Sequence, residues 1–177
     1  MEIKPAHLAA AGLSPADAGS YFQISPFTTA DARELPPEQI AELTSALGKA
    51  FPEKKLVLSC APTPRELRKM EHLLALLPQK PWRVFAGDLK LPQLAAVIQH
   101  SAVHFCGDTG PFHLAVMTNS PTVAWFCPFP DAHMREWVPA GKKHRVFIGS
   151  NAPGTTFLGK IQTDDLVRAA QALIDGR

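Results

Sequence analysis

At 177 residues the chain is long enough for one domain with a sizeable core and too short for a second catalytic domain. Hydrophobic residues make up 46% and charged residues 19%, and the net charge of +2 comes from scattered Lys and Arg, which excludes a basic nucleic-acid footprint. No apolar run approaches the roughly 20 residues of a membrane span. The N-terminus lacks the apolar core of a signal peptide, and Cys60, Cys106 and Cys127 form no CxxC pair, so the expectation is a cytosolic protein with reduced, buried thiols.

Residues 1–20 are rich in Ala and carry Pro5, Gly12, Pro15 and Gly19, which predicts a lead-in or interdomain linker with at most a short helix from Ser14. A domain over 21–177 follows. Residues 21–25 form a first strand, and 26–34 a polar loop. Pro37 opens a helix in which Ile40, Leu43, Leu47 and Phe51 repeat at helical spacing. Residues 56–59 are a second strand. Thr63-Pro64-Arg65-Glu66 has the pattern of a capping box; the helix it opens turns Leu67, Met70, Leu73, Leu74 and Leu77 to the core and Arg65, Arg68, Lys69 and Glu71 to water. A third strand spans 82–86, and Leu91, Leu94, Ala95, Val97 and Ile98 mark a compact helix.

Val103, Phe105 and Cys106 then read as a buried strand. It ends in Gly107-Asp108-Thr109-Gly110 and turns directly into a helix carrying Phe112, Leu114, Ala115, Val116 and Met117. Asp108 or Thr109 can accept from the free amides of the first turn, and Pro111 suits the first helical position. Asp108, Thr109, the amides near Gly110 and His113 thus crowd one strand-to-helix corner, which suits a polar or anionic ligand. A fifth strand covers 122–127. Residues 128–141 form an ordered loop with one helical turn at 134–137, 145–148 a sixth strand, and Thr163-Asp164-Asp165 starts a last helix with acids well placed in its first turn. His104 is a core or edge histidine satisfied by its surroundings.

Short apolar strands alternating with helices predict an α/β fold: a Rossmann-like, doubly wound parallel sheet of about six strands with helices on both faces. Ligands bind such sheets outside the carboxyl ends of the strands, near the switch point. The loops at 25–34, 59–66, 107–113 and 127–133 would open on that edge.

The segment Asp108-Thr109-Gly110-Pro111-Phe112-His113, continued by HLAVMTNSPTVAWF, resembles the DTGxxH region of the glycosyltransferase family 9 enzymes, the ADP-heptose:lipopolysaccharide heptosyltransferases, in their C-terminal, donor-binding half. Residues 28–36 are similar to the loop that meets the donor diphosphate in that family. The resemblance covers roughly 20–175 and implies one half of a GT-B enzyme, in which two Rossmann-like domains face each other across a cleft. It implies that Asp108, Thr109, Gly110 and His113 hold the sugar and diphosphate of a nucleotide sugar such as ADP-heptose. Thr28, Thr29 and Arg33 would stand by the phosphates and Glu66 near the nucleoside. No cofactor and no metal are implied. Arg33 replaces the family's usual Lys, keeping charge but changing geometry. Phe27, Cys60, Ala61 and Cys127 stand in loops where the family commonly has Gly.

The family's catalytic carboxylate belongs to the N-terminal acceptor-binding domain, so the catalytic residue of this chain is unknown and transfer by the chain alone is not expected. The partners implied are a nucleotide sugar and an acceptor-binding domain in cis or trans, with no nucleic acid and no transmembrane segment. The location is cytoplasmic, with peripheral attachment at the inner membrane through the acceptor as an option. Exposure of Phe27, Phe112, Phe129 and Trp137 at an uncovered edge would favour self-association. Two functions stay open: a donor half of a heptosyltransferase-like enzyme of lipopolysaccharide core biosynthesis, or a degenerate, noncatalytic nucleotide-sugar-binding or interaction module. A metal site from the three cysteines and His113 lacks paired ligand spacing. An aspartic-protease Asp-Thr-Gly would need an all-β fold and a second facing carboxylate.

Overall fold

The structure, a computed structural model, describes residues 2–128, 143–150 and 156–176. Within them, six strands form one sheet: β1 (Tyr21–Ser25), β2 (Lys55–Cys60), β3 (Arg83–Ala86), β4 (Val103–Gly107), β5 (Thr122–Phe126) and β6 (His144–Ile148). Their order is β3-β2-β1-β4-β5-β6 and every pairing is parallel. The chain runs outward from β1 in one direction, then crosses to β4 and runs outward in the other. That reversal puts the switch point between β1 and β4. The helices are α1 (Pro5–Ala10), α2 (Pro37–Ala50), α3 (Pro64–Leu76), α4 (Leu91–His100), α5 (Gly110–Met117) and α6 (Thr163–Ile174).

The period-2 alternation of strand side chains divides the core between two faces. Phe22 and Ile24 of β1, Val103 and Phe105 of β4 and Val123 and Trp125 of β5 pack with Ile40, Leu43 and Leu47 of α2, Met70 and Leu73 of α3 and Leu166 and Ala170 of α6. The opposite face carries Tyr21, Val57 and Phe85 against Ala96 and Val97 of α4, with Leu8 of α1 completing the layer. Beyond it, Phe112 of α5 packs on Cys106, Ala124 and Phe126. Strands covered on both faces explain the near-continuous apolar runs in the sequence.

Residues before 21 are built into this layer. Leu8, Ala11 and Leu13 are buried against it, the Tyr21 hydroxyl donates to the Val97 carbonyl at 2.6 Å, and the Gly19 amide donates to the His100 carbonyl at 2.8 Å. The helix here is Pro5–Ala10, while Ser14 opens a single 3-10 turn at Pro15–Asp17. Two Ala-rich turns offer no wide apolar stripe of their own, so the seat for Leu8 exists only after α4 and the sheet have come together.

Two premises of the sequence reading need correction. Phe112 is fully buried and Phe27 is 7% exposed, so neither supplies apolar surface for self-association. Phe112 fills the space between α5 and the sheet, where its ring meets Phe126 edge-on at 5.0 Å. Phe129 and Trp137, with the turn expected at 134–137, lie outside the described residues. Arg65 and Lys69 do not simply face water: both reach back to Asp31 and Glu34 in the loop after β1.

Candidate functional site

All six strands point the same way, so the loops after β1, β2, β3 and β4 meet at one edge. After β1 the chain runs through Phe27, Thr28 and Thr29 into a 3-10 turn at Asp31–Arg33. This loop is held from within. Thr28 donates its amide to Glu34 Oε1 at 2.8 Å, and its hydroxyl donates to the Ala30 carbonyl at 2.8 Å. Glu34, with a side chain only 2% exposed, also accepts from Arg65 at 3.0 Å and from Lys69 at 2.5 Å. Arg65 donates to the Thr28 carbonyl at 2.6 Å. Asp31 pairs with both cations; the Lys69 hydrogen bond, aided by Arg65, holds its carboxyl below the ordinary aspartate value. The Leu158 amide donates to the Glu34 carbonyl at 2.8 Å, closing the C-terminal segment over the loop. The sequence reading missed this clamp. Its trace was two acids at 31 and 34 ahead of cations at 65 and 69, one helical turn apart.

The loop carries Arg33 to Asp108, with Arg33 Nη1 3.6 Å from Asp108 Oδ2 and the Asp108 side chain 15% exposed. Gly107 makes this approach possible. A Cβ there would stand 2.8 Å from Thr28 Cγ2, 3.1 Å from Trp125 Nε1 and 3.2 Å from the Arg33 carbonyl oxygen. Thr28, Arg33 and Asp108 therefore meet above the switch point because residue 107 has no side chain. Thr29, in the same loop, is exposed.

The corner after β4 differs from the expected cap. Thr109 is the N-cap of α5, but its side chain makes no cap hydrogen bond, and Pro111 is the second residue of the helix because Gly110 is the first. Neither Asp108 nor Thr109 is used up in the capping duty that would have explained it. A Cβ at Gly110 would meet no atom within 4 Å, so packing inside the protein does not require glycine there. His113, half-buried in the first turns of α5, stacks edge-on against Phe112 at 5.9 Å.

Thr109 and Pro111 form one wall of a cavity of about 210 Å³ over the ends of β1 to β4. Ser25, Ser59, Cys60, Glu66, Phe85 and Leu94 also line it. Glu66 keeps its local duty: its amide donates to Thr63 Oγ1 at 3.2 Å, while its carboxylate accepts from the Ala61 amide at 2.8 Å. That second bond ties down the loop after β2 instead of closing a reciprocal capping box on Thr63. Ser25, Ser59 and Gly107 are site residues the sequence reading did not select. The available signal was a hydroxyl or glycine near the end of an otherwise apolar strand.

Burial pushes the Cys60 thiol up to about 11 and raises those of Cys106 and Cys127, so these cysteines stay protonated. Among the described residues no group of three His, Cys, Asp or Glu side chains is placed to hold a metal ion. His104 is wholly buried, its Nδ1 3.3 Å from the Gln23 carbonyl oxygen, and its Nε2 has no partner among the described residues. It is thus only half satisfied, and desolvation holds it neutral with a pKa lowered to about 3.

A parallel, doubly wound sheet with an open polar corner at its switch point is a Rossmann-like α/β domain, an architecture whose ligands bind at this edge. The chain belongs to glycosyltransferase family 9 (heptosyltransferase), whose family model matches residues 4–160. It is 26% identical over 127 residues to lipopolysaccharide heptosyltransferase 3 of Escherichia coli K12, which covers 68% of this chain and 37% of that protein. In three dimensions it resembles E. coli ADP-heptose LPS heptosyltransferase II with a TM-score of 0.79 at 20% identity, over 99% of this chain and 53% of the other. It also resembles E. coli heptosyltransferase WaaC with ADP, with a TM-score of 0.70 at 22% identity, over 90% and 46%. The chain therefore spans about a third to a half of these relatives.

Proposed function

We propose that this chain is the donor-binding half of a heptosyltransferase-like, GT-B glycosyltransferase of lipopolysaccharide core biosynthesis. It would hold a nucleotide sugar of the ADP-heptose kind and act with an acceptor-binding domain in cis or trans, in the cytoplasm and at the inner membrane where its acceptor lies. Residues 21–177 would be the binding unit, with residues 1–20 as its approach segment. The observation that carries this reading is the corner at 107–113: Arg33 beside Asp108, an α5 N-terminus to which the Thr109 side chain makes no cap hydrogen bond, and a glycine at 110 facing open space.

Each part has a chemical use. The amides and dipole of the α5 N-terminus favour anionic oxygens, and Arg33 adds a planar fork for the diphosphate. Asp108 accepts from sugar hydroxyls, with Thr109 and Gly110 shaping the approach. His113 donates to the leaving diphosphate as charge develops on it. Thr29 stands by the phosphates, while Thr28, its hydroxyl committed inside the loop, sets the path of the backbone there. The cavity beside Thr109 and Glu66 takes the nucleoside end. The names of the E. coli relatives, one with ADP and one called an ADP-heptose LPS heptosyltransferase, support that ligand class. The base that removes the acceptor's proton would come from the acceptor-binding domain.

A noncatalytic module of the same fold is the second reading. Its support is that Thr28 and Glu66 already have internal partners, and that the side chains of Phe27 and Cys60 line the cavity. Calorimetric titration of the chain with ADP, UDP, GDP and ADP-heptose separates the two. The donor reading expects ADP and ADP-heptose to bind. Asp108→Asn should then weaken ADP-heptose by about tenfold while leaving ADP nearly unchanged, because a charge-assisted bond contributes roughly 1.5 to 3 kcal/mol against about 1 for a neutral one. Equal loss for both ligands would move Asp108 from the sugar to the phosphates. No heat with any nucleotide at millimolar concentration would remove the donor reading.

A further inference from the structure

The cavity at the sheet edge has apolar walls, including Phe85, Leu94 and Pro111, and a polar floor. Ser25 ends β1, and Ser59 lies beside it in β2, one residue beyond the Ile24 and Leu58 pair. Their hydroxyl oxygens are 2.9 Å apart. Beneath them Gln23, on the same face of β1, donates from Nε2 to Ser25 Oγ at 3.1 Å and to Ser59 Oγ at 2.7 Å. All three residues are at least 96% buried.

Counting protons shows what this floor offers. Both protons of the Gln23 amide go to the serines, occupying one lone pair on each. Of the two serine hydroxyl protons, one spans the gap between them. The other has no acceptor among the described residues, and the serine that donates across the gap keeps one free lone pair. The floor therefore presents one donor and one acceptor side by side. Reversing the bond between the serines exchanges the two roles. Stability does not account for Gln23, because its Oε1 is buried without a partner among the described residues and an apolar side chain would avoid that penalty.

We infer that Ser25 and Ser59 read the edge of a nucleobase, with Gln23 as the positioning residue that turns their free proton and lone pair into the cavity. A volume of about 210 Å³ is below the roughly 300 to 1,000 Å³ of sites that hold a whole drug-sized ligand, so it suits one ring system. An aminopurine matches the floor: its amino group donates, and a ring nitrogen on either side of that group accepts. The inference rests on the cavity being the nucleoside end of the donor site.

The test is calorimetric titration of the full chain with ADP, 1-deaza-ADP and 7-deaza-ADP, each analogue replacing one ring nitrogen next to the amino group by C–H. Wild type should prefer ADP over one analogue by about fivefold to tenfold, the worth of one buried hydrogen bond. The variant of the serine that faces the ring nitrogen, Ser25→Ala or Ser59→Ala, should bind ADP and that analogue alike, whereas the other should keep the preference and bind all three ligands more weakly. Gln23→Leu should also bind ADP and that analogue alike, whereas a merely structural role for Gln23 would weaken all three ligands equally. If Gln23→Leu does not fold, the two serine variants decide. Equal binding of ADP and both analogues by wild type, or a preference that survives both serine variants, overturns the inference and leaves the donor reading standing. Failure of ADP to bind at all overturns both.

Discussion

Glu34→Gln tests whether the clamp beneath the loop at 26–34 organises the site. The Glu34 carboxylate is 2% exposed and accepts from Arg65, Lys69 and the Thr28 amide. Glutamine keeps an oxygen for Thr28 but loses the charge, so the two cations face a neutral amide. Removing one partner of a fully buried ion pair costs about 3 to 5 kcal/mol. Here the cations' side chains are 35% and 19% exposed and Asp31 remains to receive them, which lowers the expectation to about 2 to 3 kcal/mol. For a chain of this size that corresponds to a fall of roughly 4 to 12 °C in melting temperature. The loop also carries Arg33, so ADP should bind more weakly at temperatures where the variant is folded. Adding Lys69→Met removes the stranded cation and should recover part of the loss, giving a double-mutant coupling of about 1 kcal/mol or more. Thermal melts and ADP titrations of the four proteins are the assay. A drop of less than about 1 °C for Glu34→Gln, or strict additivity with Lys69→Met, would refute the clamp.

Burial of His104 should appear in the acid limb of stability. Its pKa is about 3 in the fold against an ordinary 6.5, so between those pH values the unfolded chain binds a proton that the native state refuses. Its contribution to stability is therefore lost as pH falls below 6.5, by about a factor of ten in the folding equilibrium for each pH unit. Urea melts from pH 7 to pH 4 should show that slope for wild type and a shallower one for His104→Leu; parallel slopes would mean that His104 titrates normally. Gly107→Ala should push a methyl group against Thr28, Trp125 and Arg33, costing about 1 to 3 kcal/mol and weakening ADP binding, with Trp fluorescence reporting the local shift. Unchanged melting temperature and affinity would show that the corner has room to spare.

The sequence by itself determined the layers and the edge. Largely apolar strands at 21–25, 103–107 and 122–126 favour burial on both sides, and helices of 3.6-residue periodicity between them favour right-handed parallel crossovers. Those local patterns already direct the loops carrying Arg33, Glu66 and Asp108 to one side of the sheet. Tertiary structure decided what each polar residue does there, because hydrogen bonds and ion pairs between distant segments leave no periodic trace. Glu66 proved to serve the Ala61 amide, and Asp108 to face Arg33 instead of capping α5. Lys69 turned from solvent to Glu34, and Phe112 from an exposed edge to the core. Leu8, in a segment without a strong apolar stripe, became core only because α4 and the sheet built a surface for it. The Gln23 and serine floor arose in the same way: two residues of β1 and one of β2, 34 to 36 positions apart in the chain, become neighbours only through the parallel register.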